Sequence, residues 1–414
     1  MHRLLSLAVL GLLALVGART WGAEQPIVLA SADSSRYLPS PDALIGKTLQ
    51  DIRASRLDDA LKEVEKVISI RPDFKLAHLI RGDLLMARAK PLSGLGPVPA
   101  GEQSQSLTDL RDEARVRLLR YIDQPDPSHL PRQILQLAPE QKYALLADAG
   151  RARLYLFENV NGEPRLLRDY YMTIGRNGTD KRAEGDKKTP VGVYLVSERL
   201  SKRKLSDFYG AGAFPLNYPN DWDQAQDRSG HGIWLHGVPS DTYSRPPRSS
   251  DGCVVVTNPD LKELSRWVQV GLTPVVIADR ADWVERREWE KSREGLMATL
   301  EDWKADWEAR DTDRLLAHYS SNLAGVGEFQ EWQRNKRRNV LDKDWIRVNL
   351  RDVSLFLYPG GEMAYSEFTQ GYESDKLSNL SRKRVYWHRE GGKWRIVLEK
   401  ALDLPDNTTK LAKR

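Results

Sequence analysis

Apolar and polar positions change texture twice along this chain. From about Pro41 to Ile122 the spacing is helical, with Ala60, Leu61, Val64, Val67 and Ile68 recurring on one face. Arg71 and Pro72 interrupt that run, and Ala77, Ile80, Leu84 and Leu85 resume it. Residues 91–105 (PLSGLGPVPAGEQSQ) read as a loop between helices. At Tyr143 the pattern becomes strand-like. ALLADAG, RARLYLFENV and PRLLRDYYMTIG alternate apolar and polar residues, with turn signals at Gly150 and Asn161-Gly162. PVGVYLVSERL, IWLHG, CVVVTN and TPVVIA are further strand candidates, and DLKELSRWVQVG reads as a helix. The third texture begins near Asp282. Trp303 and Trp307 lie one helical turn apart, with Leu296 and Leu300 on the same side, and EFQEWQRNKRR continues as helix. WIRVNLRDVSLFLYP, EMAYSEFTQGYES and RKRVYWHREGGKWRIVLEKAL then read as strands, the last a hairpin turned at Gly391-Gly392. Helices followed by a long antiparallel run are an α+β pattern.

These textures predict a multidomain chain. A leader occupies 1–23, an α-helical N-terminal region 24–138, a mainly-β domain 139–280, an α+β domain 281–404 and a polar tail 405–414. The helix–turn–helix joined at Pro72 resembles one tetratricopeptide-type unit. A true array stacks several copies, and no second copy is found. A small helical accessory region is therefore expected, and these helices are a candidate homodimer surface.

Composition narrows the function. At 414 residues, two or three domains are expected. The net charge of +5 is small, and the 63 basic and 58 acidic residues are interspersed, so nucleic acid is not an expected partner. A mild basic excess suits an anionic polymer such as cell wall. The start, MHRLLSLAVLGLLALVGA, has a positive Arg3, an apolar run from Leu4 to Val16 and small residues at Gly17, Ala18, Gly22 and Ala23. That is the pattern of a signal peptide, too short for a comfortable span. A periplasmic protein with no membrane span after cleavage is expected. Cys253 is the only cysteine. In an oxidising compartment a lone thiol points to an intermolecular bond or to a reactive group.

Three stretches of the middle domain carry the chemistry: GDKKTPVGVY (185–194), HGIWLHG (231–237) and SSDGC (249–253). His236 and Cys253 sit at the ends of short apolar runs. A thiol needs a nearby base, and an imidazole is the usual one. The amides of Gly252 and Cys253 could face a developing oxyanion. Nucleophile, base and oxyanion donors make an acyl-transfer site, although a Cys–His pair in an exported chain is as readily structural.

These residues resemble the L,D-transpeptidase (YkuD-type) catalytic domain, a cysteine-dependent family that remodels bacterial peptidoglycan. Its signature is His-Gly, a short gap, then Ser/Thr-x-Gly-Cys. Here it is His236-Gly237 and Ser250-Asp251-Gly252-Cys253, with the upstream element at Gly185, Asp186, Thr189, Pro190, Gly192 and Tyr194. The resemblance covers about residues 140–278. It implies Cys253 as nucleophile, His236 as base oriented by the Gly237 carbonyl, and Gly252 and Cys253 amides as oxyanion donors. It implies peptidoglycan stem peptides as partner, cleaved between diaminopimelate and D-alanine through a cysteine thioester, without metal or cofactor.

Two positions depart from the common pattern. Asp251 stands where many members have histidine, and Val254, Val255 and Val256 stand where many have an arginine. Arg248 is a candidate for the missing charge, with a solvent-facing loop arginine as the alternative. Ser250, Trp234 and His231 complete the candidate substrate contacts; Trp234 could equally be core and His231 structural. Asp186 is expected to cap its turn. The C-terminal region resembles the cone-shaped nuclear transport factor 2 (NTF2) fold, with aromatic core as the expected role of its tryptophans. A catalytic domain joined to such a module looks like the cell-shape-determining L,D-carboxypeptidases. The expectation is thus an L,D-transpeptidase, with trimming of tetrapeptide to tripeptide, or a non-catalytic wall-binding scaffold, as alternatives.

Overall fold

The computed structural model describes residues 40–90, 94–96 and 104–402. The expected leader, the start of the N-terminal region up to residue 39, most of the loop at 91–105 and the polar tail lie outside the described residues. No described helix is long and apolar enough to cross a membrane.

The helical region consists of α1 (Pro41–Arg53), α2 (Leu57–Ile70), α3 (Lys75–Ala87) and α4 (Gln105–Ile122). Ser40 caps α1, its Oγ accepting from the Ala43 N–H at 3.2 Å, with Pro41 in the first turn. Most of the predicted apolar face is buried: Ala60, Leu61, Val64 and Val67 of α2 meet Leu76, Ala77 and Ile80 of α3, while Ile68 is half-buried and Leu85 exposed. Their cluster also takes in Tyr243, a residue of the middle domain.

The middle domain stacks two sheets. One runs, in spatial order, Glu163–Tyr171, Arg153–Val160, Tyr143–Asp148, Pro274–Ala278 and Gly192–Leu195. The other is Val254–Val255, Trp234–His236, Gly212–Pro215 and Leu200–Ser201. The hairpin joining Val160 to Glu163 turns through Asn161 and Gly162, both at positive φ (55° and 91°), as an Asn-Gly turn requires. Short helices α5 (Asp221–Ala225) and α6 (Asn258–Leu264) close the domain. Leu145, Leu154, Leu156, Leu235, Val254, Val275 and Ile277 fill the space between the sheets.

The third region begins with α7 (Arg286–Glu308), α8 (Thr312–Ala317) and α9 (Phe329–Leu341). They lie against the antiparallel strands Ile346–Leu357, Met363–Ser374, Ser378–Glu390 and Lys393–Leu402. Trp289, Leu296, Leu300, Trp303 and Trp307 of α7 pack on Phe368, Trp387 and Ile396, so these tryptophans are core. The Trp303 indole N–H donates to Tyr319 Oη at 3.1 Å, which satisfies it indoors.

The residues before the middle domain depart from the sequence reading. The helical run ends at Ile122, where its spacing ends it, but the rest of the stretch to 138 is not helical: Leu130–Pro131 pairs with Trp283–Val284, and Ile134–Gln136 forms the fifth strand of the third region's sheet. The two domains also share a core. Leu146, Tyr155, Phe157 and Val276 meet Phe356, Tyr358, Tyr365 and Tyr386.

Candidate active site

Two short parallel strands bring the candidate residues together. Trp234–His236 lies beside Val254–Val255, with Leu235 opposite Val254 and His236 opposite Val255. Leu235 and Val254 point into the core. Alternation therefore puts Trp234, His236 and, one residue before its strand, Cys253 on the other face. The apolar runs noted in the sequence build the strands, and their off-face positions hold the candidate residues. Cys253 is a free, half-buried thiol.

The GDKKTP stretch is a clamp for the Gly-Cys turn. Thr189 is fully buried; its hydroxyl donates to the Gly252 carbonyl and accepts from the Gly175 N–H, both at 2.9 Å. Gly252 has φ +128°, and a Cβ there would come within 2.8 Å of the Lys188 carbonyl oxygen. Asp186 caps its turn as expected, accepting from the N–H groups of Arg182 (2.8 Å), Ala183 (3.1 Å) and Lys188 (3.0 Å) and from Lys181 Nζ (2.8 Å). Partial burial raises its pKa, but these bonds outweigh it and pull the carboxyl down to about 2.

The oxyanion expectation needs correction. The Gly252 N–H donates to Ser250 Oγ at 3.1 Å, and that hydroxyl donates to the Cys253 carbonyl at 2.6 Å. The Gly252 amide is thus committed, while the Cys253 N–H has no partner among the described residues. Ser250, expected to touch substrate, is 3% exposed and braces the turn from beneath.

His236 is buried, with Nδ1 at 2.6 Å from the Gly237 carbonyl. A carbonyl can only accept, so Nδ1 carries the proton and Nε2 keeps its lone pair. Burial pushes the imidazole down to about 4, against the Gly237 bond and with help from the Arg245 charge. The ring is neutral at pH 7. Tyr209 meets it edge-on at 5.1 Å and Phe208 lies at 5.9 Å.

The thiol donates to the Gly232 carbonyl at 3.4 Å, and no thiol–imidazole hydrogen bond is formed among the described residues. Burial pushes the thiol pKa up. The Trp234 N–H and the charges of Arg245 and Lys181 pull the other way, and Asp251 adds to the rise. The resting site therefore holds a protonated thiol beside a neutral imidazole, not a preformed ion pair. An activated pair would be alkylated fast below the free-thiol pKa of about 8.5. Alkylation of Cys253 by iodoacetamide is instead expected to rise with a midpoint above that value. A midpoint below it would show a resting thiolate that this geometry does not support.

Arg245 is the residue that sequence reasoning missed. Its guanidinium lies 4.6 Å over the Phe208 ring, and its charge acts on Cys253, Asp251 and His236. Arg248, nominated for that charge, is exposed on Arg248–Ser250, a strand paired with Ile174–Gly175. Only the RPP run at 245–247, which stiffens the chain behind the arginine, hints at Arg245 in the sequence. Asp251 is exposed and pairs with Arg176 at 2.8 Å. Trp234 is half-buried on the His236 face, its ring 4.7 Å from Tyr209, and lies outside the core between the sheets. The His231 side chain is 84% exposed and 3.9 Å from Glu184. It sits in a loop between Gly230 and Gly232, both at positive φ, not in a strand.

Known proteins fit this arrangement. The L,D-transpeptidase catalytic domain model matches residues 142–277, and that of the Cds6 C-terminal NTF2-like domain residues 295–400. The structure of Bd1075 from Bdellovibrio bacteriovorus superposes with a TM-score of 0.60 at 30% identity, over 67% of this chain and 99% of that one. The helical cell shape determining protein Pgp2 from Campylobacter jejuni gives 0.56 at 24% identity, over 65% of this chain and 95% of that one. The human Protein O-mannosyl-transferase TMTC3 is 28% identical over 149 residues, and the chain spans 16% of that protein's length.

Proposed function

The chain belongs to the L,D-transpeptidase family, in the group with an NTF2-like domain after the catalytic one, and from that premise we propose that it cleaves the diaminopimelate–D-alanine bond of peptidoglycan stem tetrapeptides through a thioester on Cys253. The observation that supports this most is the shared face of His236 and Cys253, with the Nδ1 proton of His236 held by Gly237. Substrate entry brings the thiol proton to His236 Nε2, and the sulfur attacks the carbonyl of the diaminopimelate L-centre. The Cys253 N–H faces the oxyanion. Collapse of the tetrahedral intermediate breaks the amide bond, and His236 returns its proton to the departing D-alanine amine. Arg245 supplies the cation for a substrate carboxylate. The leader at 1–23 would deliver the enzyme to the periplasm, where this substrate lies.

In the first reading an amine of a second stem peptide resolves the thioester, giving cross-linked dimers. A second reading, hydrolysis of the thioester to tripeptide by water, is favoured by the NTF2-like domain that follows the catalytic one. Incubation with tetrapeptide muropeptides, followed by mass spectrometry, decides. Cross-linked dimers with free D-alanine are expected from transpeptidation. Tripeptide alone would replace it with trimming, and unchanged tetrapeptide would overturn both.

A further inference from the structure

The loop that carries Arg245 is held from outside its own domain. Residues 237–247 lead from His236 toward the strand Arg248–Ser250. Tyr243 is buried in the helical region's core, its ring 4.6 Å from Phe74 at the start of α3 and 4.9 Å from the Arg71 guanidinium. Ser244 Oγ donates to Glu113 Oε1 of α4 at 2.7 Å. The Arg245 carbonyl accepts from Tyr171 Oη (2.7 Å) and Thr173 Oγ1 (3.0 Å). The Tyr171 ring in turn lies 3.9 Å beneath Arg117 of α4. At the other end, Asp207 accepts from the Ser240 N–H and hydroxyl, both at 2.9 Å, next to the Phe208 ring on which Arg245 rests.

We propose that the N-terminal helices are a positioning element for catalysis: gripping Tyr243 and Ser244, they hold Arg245 toward Cys253. This rests on the reading of Cys253 as nucleophile. Glu113 is 2% exposed, and placing a carboxylate there carries a desolvation cost that a mere surface contact would not call for. Its facing groups are Arg117, Asp42, Ser244 and Tyr171. Those acting on the thiol are Arg245, Asp251, Lys181 and Tyr209, with His236 on the same face. The Trp234 N–H also favours the thiolate, and Arg245 and Lys181 are the cations of that set, so a shift of the loop removes one of the two positive charges that favour thiolate.

With one cysteine in the chain, iodoacetamide labelling of the full-length protein reports Cys253 alone. At pH 8, Arg245→Ala and Tyr243→Ala are each expected to slow labelling by about tenfold, the effect of moving one nearby charge. Ser244→Ala slows it less, in the same direction, and Tyr243→Phe, which keeps the ring, labels like the parent. In an Arg245→Ala background the Tyr243 and Ser244 changes add nothing, because they act through that guanidinium. Parental labelling of both single variants would overturn the proposal, as would equal slowing in both backgrounds. If Tyr243→Ala fails to fold, as read by its thermal melt, Ser244→Ala carries the test. Labelling needs no muropeptide. A parent protein without peptidoglycan products would defeat the proposed function and leave this readout intact; active parent protein with uncoupled variants would defeat only the coupling.

Discussion

The Cys253→Ala protein is expected to fold like its parent and to release no D-alanine from tetrapeptide muropeptides. The thioester needs a sulfur at this position, and the groups set against His236, namely Trp234, Val255 and Tyr209, offer no thiol in its stead. Removal of a covalent nucleophile costs on the order of 10⁴ or more in rate, which is total loss in a product assay. Stability should hardly change. The thiol donates one long hydrogen bond, at 3.4 Å, and takes one from the Trp234 N–H, while the turn is built by Ser250, Thr189 and the Gly252 backbone. Mass spectrometry of the digest and a thermal melt read the two halves of this prediction. Product from the variant would show that the chemistry runs through another group. Cells that need this protein yet are served by Cys253→Ala would point to the wall-binding scaffold.

The second large effect is on stability. Arg117→Ala is expected to destabilise the protein by about 3–5 kcal/mol, measured by urea denaturation. Arg117 is 2% exposed; it pairs with Glu113 at 2.9 Å and with Asp42, and its guanidinium lies over the rings of Tyr171 and Phe74. Burial already pushes Glu113 up in spite of this partner. Burial would raise Asp42 too, but Arg117, Arg153 and Arg120 together hold it below the usual carboxylate range. Without Arg117 the two carboxylates face each other with less compensation. A loss under about 1 kcal/mol would mean that water reaches them and the cluster is worth no more than a surface pair.

Local rules made most of the fold readable. The α2–α3 break at Pro72, the Asn161-Gly162 turn, the Gly391-Gly392 hairpin and the buried Trp303 and Trp307 all follow from periodicity and turn chemistry within a few residues. The candidate pair was legible for a different reason. Cys253 and His236 sit in short motifs at the ends of apolar runs, and the pairing of the two strands sets them on one sheet face. What escaped depends on contacts without local cause. Ser250 is a polar residue whose burial is decided by the Gly252 turn above it, and it takes the very amide that looked free for an oxyanion. The charge of Arg245 acts on the thiol from a loop that helices far upstream contact, and no window of sequence around it records that. The strand Ile134–Gln136 escaped likewise, since its partner is a strand in another domain.

That strand has a consequence for how the chain must be made. Gln136 Nε2 donates to the Val353 carbonyl across 217 positions of sequence, and Phe356 pairs with Ile134. A short segment delivered early has to wait, unpaired, until nearly everything else has emerged. The NTF2-like cone then closes on it, as a clasp closes on its pin. A fragment cut between the two domains would leave one half with a gap at its sheet edge and the other with a loose ribbon. The middle domain and the NTF2-like domain are thus expected to fold as one unit.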